Sequence, residues 1–238
     1  MSDSYTQRDI HAQIARLARD LHSYEHSGKT IDTLLLAVTR QAVDMLDEVD
    51  HAGVTLVDRR GRVRSTAATG PVPTRIDELQ DTHQRGPCLQ TIREHMTVRV
   101  KDFGSETRWP SFVEDLLAQT PVRSSLSVLL YTEDSELGAL NLYAEEAGVF
   151  DDSVEDMAVA LGAHAAIALS AARRSEQFHS ALYTRDVIGQ AKGIIMERYR
   201  IGSGAAFELL TRLSQDTNTP LAQIAHELVQ ADFPPADS

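Results

Sequence analysis

Twenty residues near the C-terminal end, Ala181 to Arg200, read ALYTRDVIGQAKGIIMERYR and constrain the fold more than any other stretch. At about 100° per residue, Ala181, Thr184, Val187, Ile188, Ala191, Ile194, Ile195 and Tyr199 fall on one side of a helix, which predicts a core face. Arg185 and Lys192, seven residues apart, share one edge of that face, while Asp186, Gln190, Gly193 and Glu197 lie opposite. Gly189 and Gly193 sit inside this helix, each at a cost of roughly 1 kcal/mol relative to Ala. Two small residues four apart bare a strip of backbone that a second helix, or a ligand as flat as a nucleobase, can approach closely.

Upstream, Gly162 is the only Gly or Pro between Asp151 and Gly189, so the helix is expected to run unbroken back to the N-cap candidates Asp151, Asp152 and Ser153. Val154, Ala158, Leu161, Ala165, Ala168, Ala172 and Ser175 alternate along it by four and three, the pattern of a parallel coiled-coil dimer. Packing on the chain's own sheet is the competing reading of those small residues. Downstream, two more helices are predicted. Ser203 to Gln215 has Ser203 as N-cap candidate and Ala206, Phe207, Leu209, Leu210 and Leu213 apolar. In Pro220 to Ala231, Leu221, Ile224, Ala225, Leu228 and Val229 point inward.

The N-terminal part reads differently. Ile10, Ile14, Leu17, Leu21 and Tyr24 recur at helical spacing, and a second helix follows through Ile31, Leu34, Leu35, Val38, Ala42, Met45 and Leu46. His51 to Asp58 and Val63 to Ala68 are strands around the turn Arg59-Arg60-Gly61-Arg62. Short helices are expected over Thr74 to His83 and from Pro87 through Arg93, then a strand over Thr97 to Lys101. Asp102 to Val122 reads as irregular, anchored by Phe103, Trp109, Phe112 and Leu116. Ser125 to Tyr131 and Leu137 to Ala144 form a hairpin around the acidic loop Thr132 to Glu136. This order of elements predicts an antiparallel α+β sandwich rather than a doubly wound sheet.

A chain of 238 residues favours two domains. The net charge of −12 argues against binding nucleic acid through bulk electrostatics but leaves a local site open. Cys88 is the only cysteine, which excludes an intramolecular disulfide or thiolate zinc site and fits a reducing cytoplasm. The first thirty residues carry no signal-peptide core. The longest apolar run, Met157 to Ala172, is too short and alanine-rich for a membrane span, so a soluble, cytoplasmic chain is expected.

The C-terminal stretch, with A-K-G before Ile194, Ile195 and Met196, then Ala206-Phe207, Leu209-Leu210, Asn218 and Ile224-Ala225, resembles the ANTAR domain along nearly its whole length. Residues from about Thr30 to Ala171 are similar to the GAF domains that precede ANTAR in actinobacterial regulators. The likeness rests on Gly86-Pro87-Cys88-Leu89, Arg108-Trp109-Pro110, the strand from Ser124 to Leu130 and Leu137-Gly138-Ala139-Leu140-Asn141-Leu142-Tyr143. The resemblance implies an N-terminal helix (1–29), a GAF sensor domain (30–172), a helical linker with coiled-coil character (173–180), a three-helix ANTAR RNA-binding domain (181–233) and a tail (234–238).

It further implies a homodimeric antiterminator that recognises paired hairpin loops in nascent RNA, with an unnamed small-molecule ligand in the GAF domain and no membrane partner. Arg185, Gln190, Lys192 and Gly193 carry over from the family pattern as RNA-binding residues, and Arg198 and Arg212 join them on charge alone. One departure stands out: from Thr219 to Ser238 there is no Lys or Arg, where related domains often carry basic residues near Pro220 and Ala222. From Phe178 onward, five basic side chains face seven acidic ones, so affinity is expected to be modest and to depend on dimerisation.

Other readings compete. Thr219 to Leu228 also scans as a helix-turn-helix recognition element, but its helix offers Gln223 and Gln230 and no Lys or Arg for base-edge readout. Asp58 and Lys101 imitate a receiver's phosphoacceptor pair, yet some fifty residues read as helical precede the first strand. Cys88, near a helix N-terminus, invites a redox-sensor reading, although lone cysteines are more often buried hydrophobes. His83, His95 and His164 lack metal-ligand spacing, and no N-K-x-x-F…D-E pattern of cyclic-nucleotide sensors occurs. No nucleophile elbow, Walker loop or paired catalytic carboxylates point to an enzyme, and no cofactor is expected.

Overall fold

The structure is a computed structural model that describes residues 30–57, 63–132 and 135–232. The expected N-terminal helix, the turn at 59–62, Asp58 and the C-terminal tail lie outside the described residues. The chain divides into two compact units, Met1–Arg173 and Arg174–Ser238.

In the first unit, α1 (Ile31–Met45) precedes β1 (His51–Val57), β2 (Val63–Thr66), α2 (Pro71–His83), α3 (Pro87–Glu94) and β3 (Val98–Val100). A short 3-10 turn (Phe103–Ser105), α4 (Pro110–Gln119), β4 (Ser124–Thr132) and β5 (Ser135–Ala144) follow. The five strands form one antiparallel sheet in the order β2-β1-β5-β4-β3. The α+β architecture of an antiparallel sheet flanked by helices is therefore as expected. One segment differs: Asp102 to Val122, expected to be irregular, contains α4. Pro110 opens this helix at a position whose missing N–H costs nothing, and Phe112, Val113 and Leu116 bury one side of it.

Period-two alternation gives the sheet two unlike faces. On one face Ala52, Val54, Leu56, Leu126, Val128, Leu130, Leu140, Leu142 and Ala144 form an aliphatic layer against α1 and the long helix α5 (Asp152–Tyr199). The other face carries Thr55, Ser125, Ser127, Asn141 and Tyr143 beneath the helices α2 to α4. Gly138 lets β1 and β5 close together: its φ is +146°, and a Cβ there would fall 1.9 Å from the Thr55 carbonyl oxygen.

The 48-residue helix α5 starts where Asp151 Oδ1 accepts the backbone N–H groups of Ser153 and Val154, each at 2.9 Å. Those hydrogen bonds, the one from Val154 first, hold the Asp151 carboxyl below its ordinary pKa. By length and composition α5 could cross a bilayer. Its apolar residues have another use, because Val154, Ala158, Leu161, Ala165, Ala166 and Leu169 are buried in the aliphatic layer of their own sheet. This corrects the expected dimer seam. Val154, Ala158, Leu161 and Ala165 are consumed by the chain's own core, and Ala168 and Ala172 pack against it. Alanine and glycine were ambiguous because small residues serve a helix-on-sheet contact as well as a helix pair: a Cβ at Gly162 would lie 3.0 Å from Val128 Cγ1.

The second unit comprises the end of α5, α6 (Ser203–Thr217) and α7 (Leu221–Asp232). Its core joins Val187, Ala191 and Ile195 to Ala206 and Leu210 of α6 and Ile224 and Ala225 of α7. Ala181 and Tyr199, expected on the core face, are exposed, Tyr199 at 61%. Ser203 is the first helical residue rather than the cap, which is Gly202. Phe207, Leu209 and Leu213 are exposed as well, since three short helical faces meet along a strip too narrow for every apolar position of α6.

Gly138→Ala is expected to lower the stability of the first unit by about 3 kcal/mol or more, or to prevent folding, as read by urea denaturation.

Candidate nucleic-acid interface

On the second unit an open groove of about 870 Å³ runs along α5 and reaches α6. One helical face supplies most of its wall. Glu176, Gln177, Ser180, Ala181, Thr184, Arg185, Ile188, Gly189 and Lys192 come from α5, and Phe207 from α6. The spacing 185, 188, 189, 192 places these residues above one another on successive turns. Arg185 and Lys192 therefore stand on the same side, with the bare backbone of Gly189 between them.

Lys192 Nζ lies 5.9 Å from the centroid of the Phe207 ring, a cation–π distance. The ring itself is 44% exposed, so it presents apolar surface and a π-system to the groove. Among the described residues no carboxylate pairs with Arg185 or Lys192, which leaves both charges available to an anion.

The two glycines have no internal use in helix packing. A Cβ built at Gly189 or at Gly193 would meet nothing within 4 Å. Their cost, together roughly 2 kcal/mol, is thus not offset by any close contact among the described residues.

The other expected site residues lie elsewhere. Gln190 and Gly193 are exposed on α5 but do not line the groove. Arg198 is exposed in part and forms an ion pair with Asp232 of α7. Arg212 is exposed on α6, away from the groove lining. Ser180, Thr184 and Phe207 join the groove as well; helical periodicity puts Thr184 and Phe207 on core faces, and only the packing of α6 against α5 reveals Phe207 as a neighbour of Lys192.

Helix α7, the candidate recognition element, has its polar side chains engaged. Gln223 Nε2 donates to Glu227 Oε1 at 3.0 Å, and Gln230 Nε2 lies 2.9 Å from His226 Nε2. In the first unit, Cys88 is buried, and its thiol is pushed up to about 12 by desolvation first and by the nearby Asp77 charge second. It is a protonated core side chain, not a reactive thiolate. His83 Nε2 bonds Asp115 Oδ2 at 2.7 Å, and among the described residues no cluster of His, Cys, Asp or Glu has metal-ligand geometry.

A family model described as a GAF domain matches residues 28–170, and one described as an ANTAR domain matches residues 176–229. No curated protein matches the chain significantly. Among solved structures, the GAF domain of the Acinetobacter phosphoenolpyruvate-protein phosphotransferase is similar with a TM-score of 0.55 and 19% identity, over 73% of this chain and 97% of that one. The free methionine-R-sulfoxide reductase of Neisseria meningitidis, solved with its substrate, gives a TM-score of 0.52 and 18% identity over 68% of this chain and 91% of its own. Both likenesses concern the fold alone.

Gly189→Ala and Gly193→Ala are each expected to stabilise the protein by about 0.5 to 1 kcal/mol in thermal or urea unfolding, since neither meets a neighbour.

Proposed function

Because the chain belongs to the GAF–ANTAR family, we propose that it is a signal-responsive antitermination regulator that grips paired hairpin loops of nascent RNA in the α5–α6 groove. The family pair supports a sensor-regulated antitermination role in general. The observation that carries the finer reading is the open juxtaposition of Arg185, Gly189, Lys192 and Phe207 on one groove. Unstacked loop bases enter over Gly189, where no side chain obstructs them, and one stacks on the Phe207 ring. Arg185 and Lys192 hold the flanking phosphates. Gln190 and Gly193 form the outer rim of the same helix, while Arg198 and Arg212 add general attraction.

Two loops call for two grooves, so the binding form is a homodimer acting in the cytoplasm. Val159, Ala163 and Ile167, spaced four apart on the outer face of α5, support this, with Ile167 61% exposed in the single chain. Duplex DNA is the weaker alternative. Helix α7 carries no cation, its glutamines are bonded to neighbours one turn away, and Ile224 and Ala225 are committed to the core.

With a tandem-hairpin RNA, Lys192→Glu is expected to weaken binding by at least about tenfold, and Phe207→Ala by about five- to a hundredfold, with the circular dichroism of both unchanged. Two cations in each of two grooves give a slope near −3 for log K against log salt, at about −0.7 per phosphate. Unchanged gel shifts for both variants, or tighter binding of duplex DNA, reject the assignment. Ile167→Glu is expected to yield a folded monomer in sedimentation and to reduce RNA affinity through lost avidity.

A further inference from the structure

The polar face of the sheet encloses a second feature that the RNA groove does not use. A cavity of about 360 Å³ lies in the first unit, between β1 and β2 on one side and α2 and α3 on the other. Its lining joins the buried Thr55, Gln80 and Cys88 and the half-buried Asp77 to the exposed Ser65, Arg64, Glu78 and Asp81.

Hydrogen bonding fixes the inner groups. Ser65 Oγ donates to Asp77 Oδ2, and Gln80 Nε2 reaches Asp77 Oδ1 at 3.4 Å. Gln80 Oε1 in turn accepts the Cys88 backbone N–H at 2.9 Å, and Asn141 Nδ2 donates to Thr55 Oγ1 at 3.0 Å. On the same sheet face as Thr55, the fully buried Asn141 Oδ1 and Tyr143 Oη have no hydrogen-bond partner. Asn141 is thereby tied to Thr55, which lines the cavity. Buried polar atoms without partners are uncommon in native folds and mark a place where a polar ligand or water completes the network.

The charges around the cavity select the ligand. Arg64, the only basic side chain among the described residues of its lining, is paired with Asp32 at 3.1 Å. Arg75 neutralises Glu78 in the same way. Asp77 and Asp81 have no basic partner among the described residues. A phosphate or carboxylate entering here would face two carboxylates and, among the described residues, no unpaired cation, whereas a positive group would find a half-buried counter-ion. The volume is at the small end of ligand pockets, about 300 to 1,000 Å³, which suits a short molecule.

We propose that this cavity binds a small organic cation, a primary ammonium or guanidinium on a short carbon chain, with Asp77 as its counter-ion and Thr55, Ser65 and Gln80 orienting it. This names the chemical class of the signal and rests on the sensor half of the proposed function, not on the RNA groove. Burial is the largest influence on Asp77 and raises its carboxyl to about 6, against the opposing hydrogen bonds from Ser65, Thr55 and Gln80. The groups facing it are Thr55 of β1, Arg64 and Ser65 of β2, Glu78, Gln80 and Asp81 of α2, Cys88 of α3 and Tyr143 of β5. Ligand binding therefore takes up the ionised form and weakens about tenfold for each pH unit below 6.

The test is calorimetry on the full chain with putrescine and agmatine as cations, 1,4-butanediol as the neutral isostere and inorganic phosphate as the anion. Binding of at least one cation, with neither control binding, is the expected result. Asp77→Asn should weaken that binding at least tenfold. Its native carboxyl titrates higher than in the unfolded chain, so folding favours the neutral form and the variant should be no less stable at pH 7. Ser65→Ala, which keeps the carboxylate, should weaken binding several-fold. Asp77→Asn should leave gel shifts of tandem-hairpin RNA without added amine unchanged, so a failure of the RNA reading shows separately. Binding of neither cation, equal binding of the diol or of phosphate, or full cation binding by Asp77→Asn overturns the proposal.

Discussion

The contact on which the first unit depends is a helix of small residues laid flat on an aliphatic sheet. Ala158, Gly162, Ala165 and Ala166 leave α5 close enough for Val128 and Leu130 to fill the space that side chains would otherwise occupy. Close packing of this kind tolerates little added volume. Because most aliphatic residues of the sheet are drawn to this side, Val98 and Val100 of β3 excepted, the polar ones are collected on the other. Thr55, Ser125, Ser127 and Asn141 thus lie beneath α2 and α3, where a solely structural sheet would be apolar.

The second unit works under a different restriction. Its core holds seven buried residues from three helices, with six more apolar residues partly buried against them, and several apolar positions outside that set stay at the surface. Phe207 is one of these. Its exposure places an aromatic ring beside Lys192, and the same sparse packing leaves the glycines of α5 uncovered.

Much of this was legible in the residues. Alternation of apolar and polar positions located β1, β4 and β5, Pro87 opens a helix as expected while the helix expected from Thr74 begins at Pro71, and the absence of breakers after Asp151 foretold the length of α5. The seven-residue spacing of Arg185 and Lys192 placed them on one edge, where they are found. What escaped has physical causes. Helix α4 is ten residues long and follows Trp109, so its few aromatic anchors look the same in a loop. The alternation from Val154 to Ala172 fits a sheet or a partner helix equally, because alanine buries little area in either. Phe207 and Thr184 became groove residues only through tertiary contact between α5 and α6, and no pattern within one helix carries that information.

The thinness of that seven-residue core has a bearing on the protein's energetics as a whole. A bundle so small holds its folded form by a narrow margin, and two helix-weakening glycines narrow it further. Any molecule that occupies only the folded groove then acts as a clamp, raising the unfolding temperature with its own concentration by mass action. The abundance of that molecule would in this way set how long the bundle survives as well as how often it is occupied.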